Sequence, residues 1–454
     1  MMRILMLSWE YPPQSVGGLA RHVEDLAVSL ARLRHDVHVL TIGRPGQATT
    51  SRENGLTVHR VEAYPVQAPD FLTWVLQLNA RFLEEAMILM RKYGPFQVIH
   101  AHDWLVAFTG RALKHAHRLP LIATIHATEA GRNRGLYNEL QRYINSVEWW
   151  LTYEAWRVIV CSQHMRQEVQ GLFQLPSDKI TIIPNGVYSK KFLVTAVDPE
   201  VRKRYAASHE KIIFFVGRLV IEKGVQVLLE AMPQVLAACP EAKLVVAGQG
   251  PVEGQLQNRA RELGIAHKVY FAGYIDDRTR NQLYRAARVA VFPSLYEPFG
   301  IVALEAMAAG TPVVASETGG LVEIITHGID GMRAWPGHAG SLADNILAVL
   351  KDKDLAERLQ VNGRRLATEV YDWENIARRT AAVYQDVYNQ YRRTPWPERP
   401  ATIDRLWRFA PPAAEEKSHE PRERREQPLP LGGRYDLAQH RAALVNQRRG
   451  RGEG

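Results

Sequence analysis

The sequence predicts two α/β domains, each a doubly wound, Rossmann-like parallel sheet, that face each other across a cleft. Short apolar segments alternate with amphipathic ones from Arg3 to about Val187, and the alternation starts again after residue 187. The apolar segments are rich in valine, isoleucine and leucine throughout, which is typical of parallel strands buried on both faces. Strands that alternate with helices predict a parallel sheet covered by helices.

The first predicted domain covers residues 1–187. Amphipathic segments such as 19–35 and 74–93 have apolar residues at helical spacing and predict the covering helices. Its predicted strands are 3–9, 36–42, 96–102, 120–126 and 157–162.

The second predicted domain covers residues 188–372, after an Asn-Gly turn that predicts a hinge near residue 187. The next segment, 373–393, is predicted to form one helix from about Trp373 to Tyr391. Residues 394–454 are rich in proline and charge, which predicts a largely disordered tail. The predicted strands of this domain are 211–217, 242–248, 268–273, 289–294 and 312–316.

The composition narrows the class of protein. The two cysteines cannot form a disulfide framework, which favours a reducing compartment. The longest apolar runs are far shorter than the roughly 18 residues that span a bilayer, so we expect a soluble, cytoplasmic protein without integral membrane association. The net charge of +9 suits an anionic ligand or surface. Nucleic acid is not an expected partner, because basic and aromatic residues are not interleaved.

The segment 297–316 (EPFGIVALEAMAAGTPVVAS) has the strongest functional signal. A loop that contains Glu297 leads into a helix that carries Glu305 one turn further on. The backbone amides of Gly300, Ile301 and Val302 are the unpaired donors of that helix start, and they predict a phosphate site. Glu305 is placed to accept hydrogen bonds from ribose hydroxyls.

The segment 214–224 (FFVGRLVIEKG) places Arg218 and Lys223 directly after a predicted strand. Two cations at this spacing can converge on one diphosphate, because arginine offers a bidentate fork and lysine a point charge. The strand lies in the same predicted sheet as the one before Glu297, so both loops are expected at one edge.

Gly17 and Gly18 follow the first predicted strand, where paired glycines allow the backbone to approach a ligand closely. They do not form the G-x-G-x-x-G fingerprint, which argues against a nicotinamide or flavin enzyme.

His102, Asp103 and His126 follow two further strands of the first domain and are predicted to line the cleft. No histidine and cysteine grouping has zinc-site spacing. The single D-x-D string, at 352–354, lies in a charged helical segment. No metal site is therefore predicted.

These residues resemble a known family. The motifs VGGL, HAHDW, TIH, CS-x-x-M, IIPNGV, VGRL-x-x-x-KG, EPFGIVALEAMAAGTPVV and TGGLVEII occur in this order between about Arg3 and Tyr391. The chain is similar to the retaining GT-B glycosyltransferases of family four (glycosyl transferases group 1) and to the allied glycogen and starch synthases.

The resemblance implies roles for the donor-side residues. Arg218 and Lys223 match the pair that holds the donor diphosphate. Glu305 matches the ribose-binding glutamate, and Glu297 the glutamate near the hydroxyls of the donor sugar.

The resemblance also implies roles on the acceptor side. His126 matches the histidine beside the reacting sugar, and Asp103 the aspartate of the HDW motif of the synthases. Gly17 and Gly18 match the loop that faces the diphosphate and the acceptor. The helix at 373–391 is similar to a family helix that crosses back onto the first domain.

The implied reaction transfers a hexose from a nucleoside-diphosphate sugar, UDP- or ADP-glucose, to a glucan or other hydroxyl acceptor, with no further cofactor. The segments HAHDW and VGGLARHV favour elongation of an α-1,4-glucan. The alternative is a family-four transferase for a lipid, cell-wall or small-molecule acceptor, since QSVGG lacks the lysine of bacterial glycogen synthases. Tyr188 also departs from the family pattern, which usually has aspartate at this position. A non-catalytic sugar-nucleotide-binding homologue is less expected, because the charged set is intact.

Overall fold

Two sheets organise the part of the chain that the computed structural model describes, residues 1–15, 17–44, 46, 48–194 and 196–395. The strands of the first sheet are β1 (Arg3–Leu7), β2 (Asp36–Ile42), β3 (Thr49–Glu53), β4 (Leu56–Val61), β5 (Val98–His102), β6 (Leu121–Ile125), β7 (Arg157–Val160) and β8 (Ile180–Ile182). The strands of the second sheet are β9 (Lys211–Val216), β10 (Ala242–Ala247), β11 (Val269–Gly273), β12 (Val289–Phe292), β13 (Val313–Ser316) and β14 (Met332–Ala334).

Helices connect the strands. In the first half they are α1 (Gly18–Arg32), α2 (Phe71–Tyr93), α3 (Ala107–His117), α4 (Glu129–Asn133), α5 (Glu139–Glu154) and α6 (Gln163–Phe173). In the second half they are α7 (Pro199–Tyr205), α8 (Val225–Ala238), α9 (Glu253–Glu262), α10 (Asp277–Ala286), α11 (Ile301–Ala308), α12 (Leu321–Ile324), α13 (Ala339–Lys351), α14 (Lys353–Glu369) and α15 (Trp373–Arg393).

Both sheets are doubly wound, which confirms the predicted fold class. The first sheet has the order β3-β4-β2-β1-β5-β6-β7-β8 and the second the order β11-β10-β9-β12-β13-β14. The strand order therefore reverses direction between β1 and β5, and again between β9 and β12. In open parallel sheets, ligands bind at the carboxyl ends of the strands beside such a reversal.

The burial of the strands follows from their composition. Every residue of β5 and of β6 is buried, as expected of apolar strands covered on both faces. The helices cover those faces with one apolar side each. In α1, for example, Leu19, Val23 and Leu26 are buried at helical spacing.

Four strands escaped prediction, although all ten predicted strands are present with ends shifted by at most two residues. β3 is a largely exposed edge strand of sequence TTSRE, and β4 mixes polar with apolar residues in the sequence LTVHRV. β8 and β14 have three residues each. The expectation of purely parallel pairing is wrong at β3, which pairs with β4 in the antiparallel sense. A polar edge strand carries no apolar pattern because it buries little.

The two connections between the sheets run side by side. The backbone N–H of Val187 donates to the carbonyl of Tyr371 at 2.8 Å, and Val187 also bridges to Asp372. After this crossing, the apolar face of α15 packs against the first sheet. Tyr384 is buried in that contact, and its hydroxyl lies 2.6 Å from Nδ1 of His100 in β5.

Residues Met1–Asn389 form one compact unit, and a second unit begins at Gln390. The predicted disordered tail, 394–454, lies outside the described residues from position 396 onward. None of the helices within the described residues combines the length and apolarity needed to cross a membrane.

Candidate active site

The first sheet brings His102, Asp103 and His126 together, as the sequence predicts. β5 and β6 are parallel neighbours, so their carboxyl ends meet at one edge. His102 ends β5, Asp103 follows it, and His126 comes directly after β6. The backbone N–H of His126 donates to Oδ1 of Asp103 at 2.8 Å, and Nδ1 of His102 lies 3.3 Å from Nε2 of His126.

Asp103 has a strained backbone. Its φ of 60° and ψ of 175° lie in a region that is essentially restricted to glycine. Such a conformation costs on the order of 1–3 kcal/mol and is concentrated at functional sites. The hydrogen bond to His126 ties this strained turn to the neighbouring strand end.

His22 is a member of the site that sequence reasoning missed. It lies on α1, is 5% exposed, and packs edge-on against His126 with ring centroids 4.5 Å apart. Its Nδ1 lies 2.7 Å from Oδ1 of Asn185, a residue of the IIPNGV segment. The helical spacing of the buried Leu19, Val23 and Leu26 contained the signal, because it places His22 on the same inward face.

The imidazoles of this site are neutral at physiological pH. Burial holds the pKa of His22 and that of His102 well below the ordinary value. Burial, aided by the charge of Arg132, lowers the pKa of His126 to about 3. Burial also raises the pKa of Asp103 to about 6, against the opposing effects of Arg132 and the His126 amide.

A buried carboxyl group supports the loop after His126. Both side-chain oxygens of Glu148, on α5, accept from the backbone N–H of Glu129, at 3.0 and 3.2 Å. Burial raises the pKa of Glu148 to about 8, although the hydrogen bond and Arg132 oppose the shift. This carboxyl is therefore largely protonated at neutral pH.

The second sheet positions the charged loops. β9 and β12 are parallel neighbours, so the loops that carry Lys223 and Glu297 leave the same edge. Nζ of Lys223 lies 2.7 Å from Oε2 of Glu297, which also accepts from the hydroxyl of Ser294 at 3.1 Å. Arg218 pairs more loosely with Glu222, at 3.6 Å. The two predicted diphosphate ligands share a loop, but each cation faces a different carboxylate.

Two glycines hold these loops together. A Cβ atom on Gly224 would lie 1.9 Å from the carbonyl oxygen of Pro293, and one on Gly319 would lie 2.0 Å from that of Glu297. Both glycines have positive φ values, 72° and 52°. The backbone around Lys223 and Glu297 is thus fixed by close contacts that only glycine permits.

The first turn of α11 faces the glycine loop of the first sheet. Gly300 caps α11 with a φ of 110°, and the amides of Ile301 and Val302 begin the helix. A Cβ atom on Gly18 would lie 3.4 Å from Cδ1 of Ile301. The N–H of Gly17, one residue earlier, donates to the side chain of Glu10 at 3.3 Å.

Glu305 lies deeper than the sequence suggests. Its side chain is 5% exposed, accepts from the hydroxyl of Tyr284 at 3.2 Å and lies 3.7 Å from Nε of Arg280. With Arg21 and Lys191 it lines a small cavity between the two sheets. Its contact with a ribose stays a prediction.

Direct hydrogen bonds join the two edges. The hydroxyl of Ser162, at the start of α6, donates to the carbonyl of Pro298 at 2.7 Å. The N–H of Thr128 donates to the hydroxyl of Tyr296 at 3.4 Å. We call the strand ends that carry His102, Asp103 and His126 the histidine edge, and those that carry Lys223 and Glu297 the charged edge. The two edges therefore face each other across one cleft. Two Rossmann-like sheets arranged in this way define the GT-B class of glycosyltransferase.

Comparison with known proteins agrees with this class. Residues 16–191 match the model of Glycosyltransferase Family 4, and residues 197–366 that of Glycosyl transferases group 1. An uncharacterised glycosyltransferase of Methanocaldococcus jannaschii is 42% identical over 85% of this chain and 98% of its own length. The glycogen synthase of Mycobacterium tuberculosis is 36% identical over 84% of this chain and 94% of its own.

A solved structure extends the likeness. The sucrose-phosphate synthase of Thermosynechococcus elongatus has a TM-score of 0.75 and 27% identity, over 86% of this chain and all of that one. The chain belongs to the group 1 glycosyltransferases.

Proposed function

We propose that this protein transfers glucose from UDP-glucose or ADP-glucose to a hydroxyl acceptor with retention of the anomeric configuration. The favoured acceptor is an α-1,4-glucan, which the enzyme lengthens at its end. The observation that carries the proposal is the ion pair between Lys223 and Glu297. The loop of Glu297 lies against the first sheet, because the hydroxyl of Tyr296 accepts from the N–H of Thr128, two residues after His126.

The donor diphosphate is assigned to the edge of the second sheet. Negative charge develops on the diphosphate as it leaves, and fixed donors aimed at that charge stabilise the transition state. Lys223 and Arg218 supply cations, and the amides at Gly300–Val302 add the positive end of α11. Glu297 keeps the Lys223 ammonium in place before the donor arrives, and its carboxylate then lies close enough to accept from a sugar hydroxyl.

The acceptor is assigned to the histidine edge. A neutral imidazole at His126 can hydrogen-bond a sugar hydroxyl, but with a pKa of about 3 it does not keep a second proton at neutral pH. Asp103 is committed to the backbone N–H of His126. Neither group is suited to take the acceptor proton.

The proton is therefore assigned to the leaving group. The acceptor oxygen bonds to the anomeric carbon as the bond from that carbon to the diphosphate oxygen breaks, on the same face of the sugar. The hydroxyl proton passes to the departing diphosphate oxygen, so that atoms and charge balance. Arg218 and Lys223 then hold the diphosphate until release.

Closure of the cleft is assigned to the paired connections at Val187 and Tyr371, where two domains, 1–187 and 188–372, would hinge. Closing the cleft expels water and completes the site. We place the reaction in the cytoplasm, a reducing compartment, in keeping with the free thiols of Cys161 and Cys239.

A release assay tests the proposal. UDP-glucose and ADP-glucose are each incubated with glycogen, with maltooligosaccharides or without acceptor, and the freed nucleoside diphosphate and product sizes are measured. A ladder that grows by single hexoses supports glucan elongation. Transfer only to a lipid extract or to a phosphorylated small molecule would favour the alternative acceptor class.

A further inference from the structure

Three histidines, two of them buried and one half-buried, converge beside the cleft from separate elements. His22 comes from α1, His102 from the end of β5, and His126 from the residue after β6. One ring nitrogen of each lies within 4.8 Å of those of the other two. The rings also pack on one another, with centroids 4.5 Å apart for His22 and His126 and 5.6 Å apart for His102 and His126.

The spacing of two nitrogens suits a metal ion. Nδ1 of His102 and Nε2 of His126 lie 3.3 Å apart, at the long end of hydrogen-bond distance. Two nitrogens bound to tetrahedral zinc at about 2.0–2.1 Å lie about 3.3–3.4 Å from each other. The pair is therefore already spaced like two ligands of one ion.

A further nitrogen lacks a partner. Nε2 of His22 is buried without a hydrogen bond, and a buried polar atom of this kind calls for an explanation. The amide oxygen of Asn185 accepts from Nδ1 of His22, so Nε2 carries the free lone pair. A second hydrogen bond from the far nitrogen is the usual way in which proteins orient a metal-binding histidine.

One of the three histidines is partly exposed. His126 is half-buried on the side of the cleft, whereas His22 and His102 are 5% and 0% exposed. Imidazole ligands suit zinc, copper and nickel rather than magnesium or calcium.

We propose that His22, His102 and His126 bind one divalent transition-metal ion, such as Zn²⁺, and that the bound ion inhibits sugar transfer. The ion occupies a ring nitrogen of His126 and removes the hydrogen bond that this ring offers to the acceptor. The inhibition rests on the proposed function, whereas the binding of the ion does not.

The first test measures binding alone. Full-length protein is titrated with Co²⁺, whose visible absorption reports tetrahedral coordination. We expect one equivalent to bind, and His22→Gln and His102→Gln to weaken binding by more than about 100-fold, because the loss of outer partners alone costs about 10–100-fold. Asn185→Ala keeps all three rings and should weaken binding by about tenfold or more.

A matched control comes from another buried pair in the same sheet. His38 and His59 lie 2.9 Å apart, nitrogen to nitrogen, without a third histidine. His38→Gln should leave the Co²⁺ spectrum and affinity unchanged. If the histidine variants fail to fold, anomalous diffraction from wild-type crystals soaked in Zn²⁺ locates the ion directly. An ion anywhere else, or a spectrum unaffected by the cluster variants, overturns the site.

The second test measures inhibition. Zn²⁺ should suppress nucleoside diphosphate release by the wild type, EDTA should restore it, and His22→Gln should resist Zn²⁺ relative to its own metal-free rate. Binding at the cluster with undiminished transfer would overturn the inhibition. Binding without transfer from any sugar nucleotide would instead overturn the proposed function and leave the metal site standing.

Discussion

The two strand edges that face the cleft differ in the charge of their side chains. The edge of the first sheet presents neutral, buried imidazoles, whereas that of the second presents Lys223, Glu297 and Arg218 as charged side chains. A leaving diphosphate gains negative charge and needs cations, whereas a sugar hydroxyl needs only hydrogen bonds. Under the proposed function, the donor edge and the acceptor edge therefore differ in electrostatics as much as in shape.

The largest expected effect comes from the charged edge. Lys223→Ala should lower kcat by on the order of a hundredfold or more, because a preorganised donor to the leaving group is lost. Arg218→Ala should act in the same direction. Both effects are measured as the rate of nucleoside diphosphate release.

Lys268 is the matched control for Lys223. It pairs with Glu210 at 3.0 Å, with side chains 20% and 11% exposed, against 2.7 Å and 22% and 9% for Lys223 and Glu297. Lys268→Ala should retain the wild-type rate. Equal losses in the two variants would mean that Lys223 acts through stability, and the comparison between the edges would fail.

A smaller effect is expected at the neutral edge. His126→Gln should lower kcat by about tenfold, the value of one hydrogen bond to substrate. Because the pKa of His126 is about 3, the wild-type imidazole stays neutral between pH 5 and pH 8, as does the glutamine of the variant. The variant should therefore keep the pH profile of the wild type over that range. Loss of a limb near pH 6.5 in the variant would identify His126 as a titrating base.

Two carboxyl groups on one helix show the same contrast between neutral and charged groups, and it can be measured as the pH dependence of the free energy of unfolding. On α5, burial raises the pKa of Glu148 from 4.5 to about 8. Burial alone would also raise the pKa of Glu154, but hydrogen bonds from Lys114, His115 and Arg111 outweigh it and lower the value to about 2. The folded state thus holds the proton of Glu148 more tightly than the unfolded chain, and that of Glu154 less tightly.

The signs of the two pH dependences are opposite. Glu148 lowers the free energy of unfolding as pH rises from 4.5 to about 8. The stability of Glu148→Gln relative to the wild type should therefore increase across that range, by on the order of 4 kcal/mol at pH 8. Glu154 adds stability above pH 4.5 that is lost toward pH 2, so Glu154→Gln should be the less stable protein at neutral pH. Urea unfolding of each variant beside the wild type at about pH 5 and pH 8 measures the Glu148 effect, and at about pH 3 and pH 5 it measures the Glu154 effect. Slopes of equal sign for the two differences between wild type and variant would contradict the account.

The smallest expected effect is that of a chelator. Because the proposed function assigns the positive charge at the diphosphate to Arg218 and Lys223, we expect transfer to survive EDTA without loss. If EDTA abolished the activity and Mg²⁺ or Mn²⁺ restored it, the donor edge would need a metal that the sequence does not predict.

Sequence patterns were sufficient for the main elements of the fold. Buried parallel strands contain long apolar runs, so β1, β2, β5–β7 and β9–β13 could be located before the structure was known. β3 could not, because an exposed edge strand has no apolar face, and β8 and β14 are too short for a pattern.

The sites were predictable to different extents. Side chains next to a strand end, such as Asp103, His126 and Lys223, could be placed at an edge because parallel strands align. Pairing across the fold could not: the sequence does not reveal that Glu297 holds Lys223, or that Glu305 meets Arg280. The histidine cluster escaped the search for zinc spacing because its members lie at positions 22, 102 and 126, and only tertiary structure brings them together.

The anomeric configuration of the product tests the central claim most directly. Wild-type protein is supplied with UDP- or ADP-glucose and a maltooligosaccharide, and the new linkage is assigned by NMR alongside the release of nucleoside diphosphate. The account predicts one α-linked glucose for each diphosphate released, with Lys223→Ala slower by on the order of a hundredfold. A β-linked product, or no release from any sugar nucleotide with any acceptor, would contradict it.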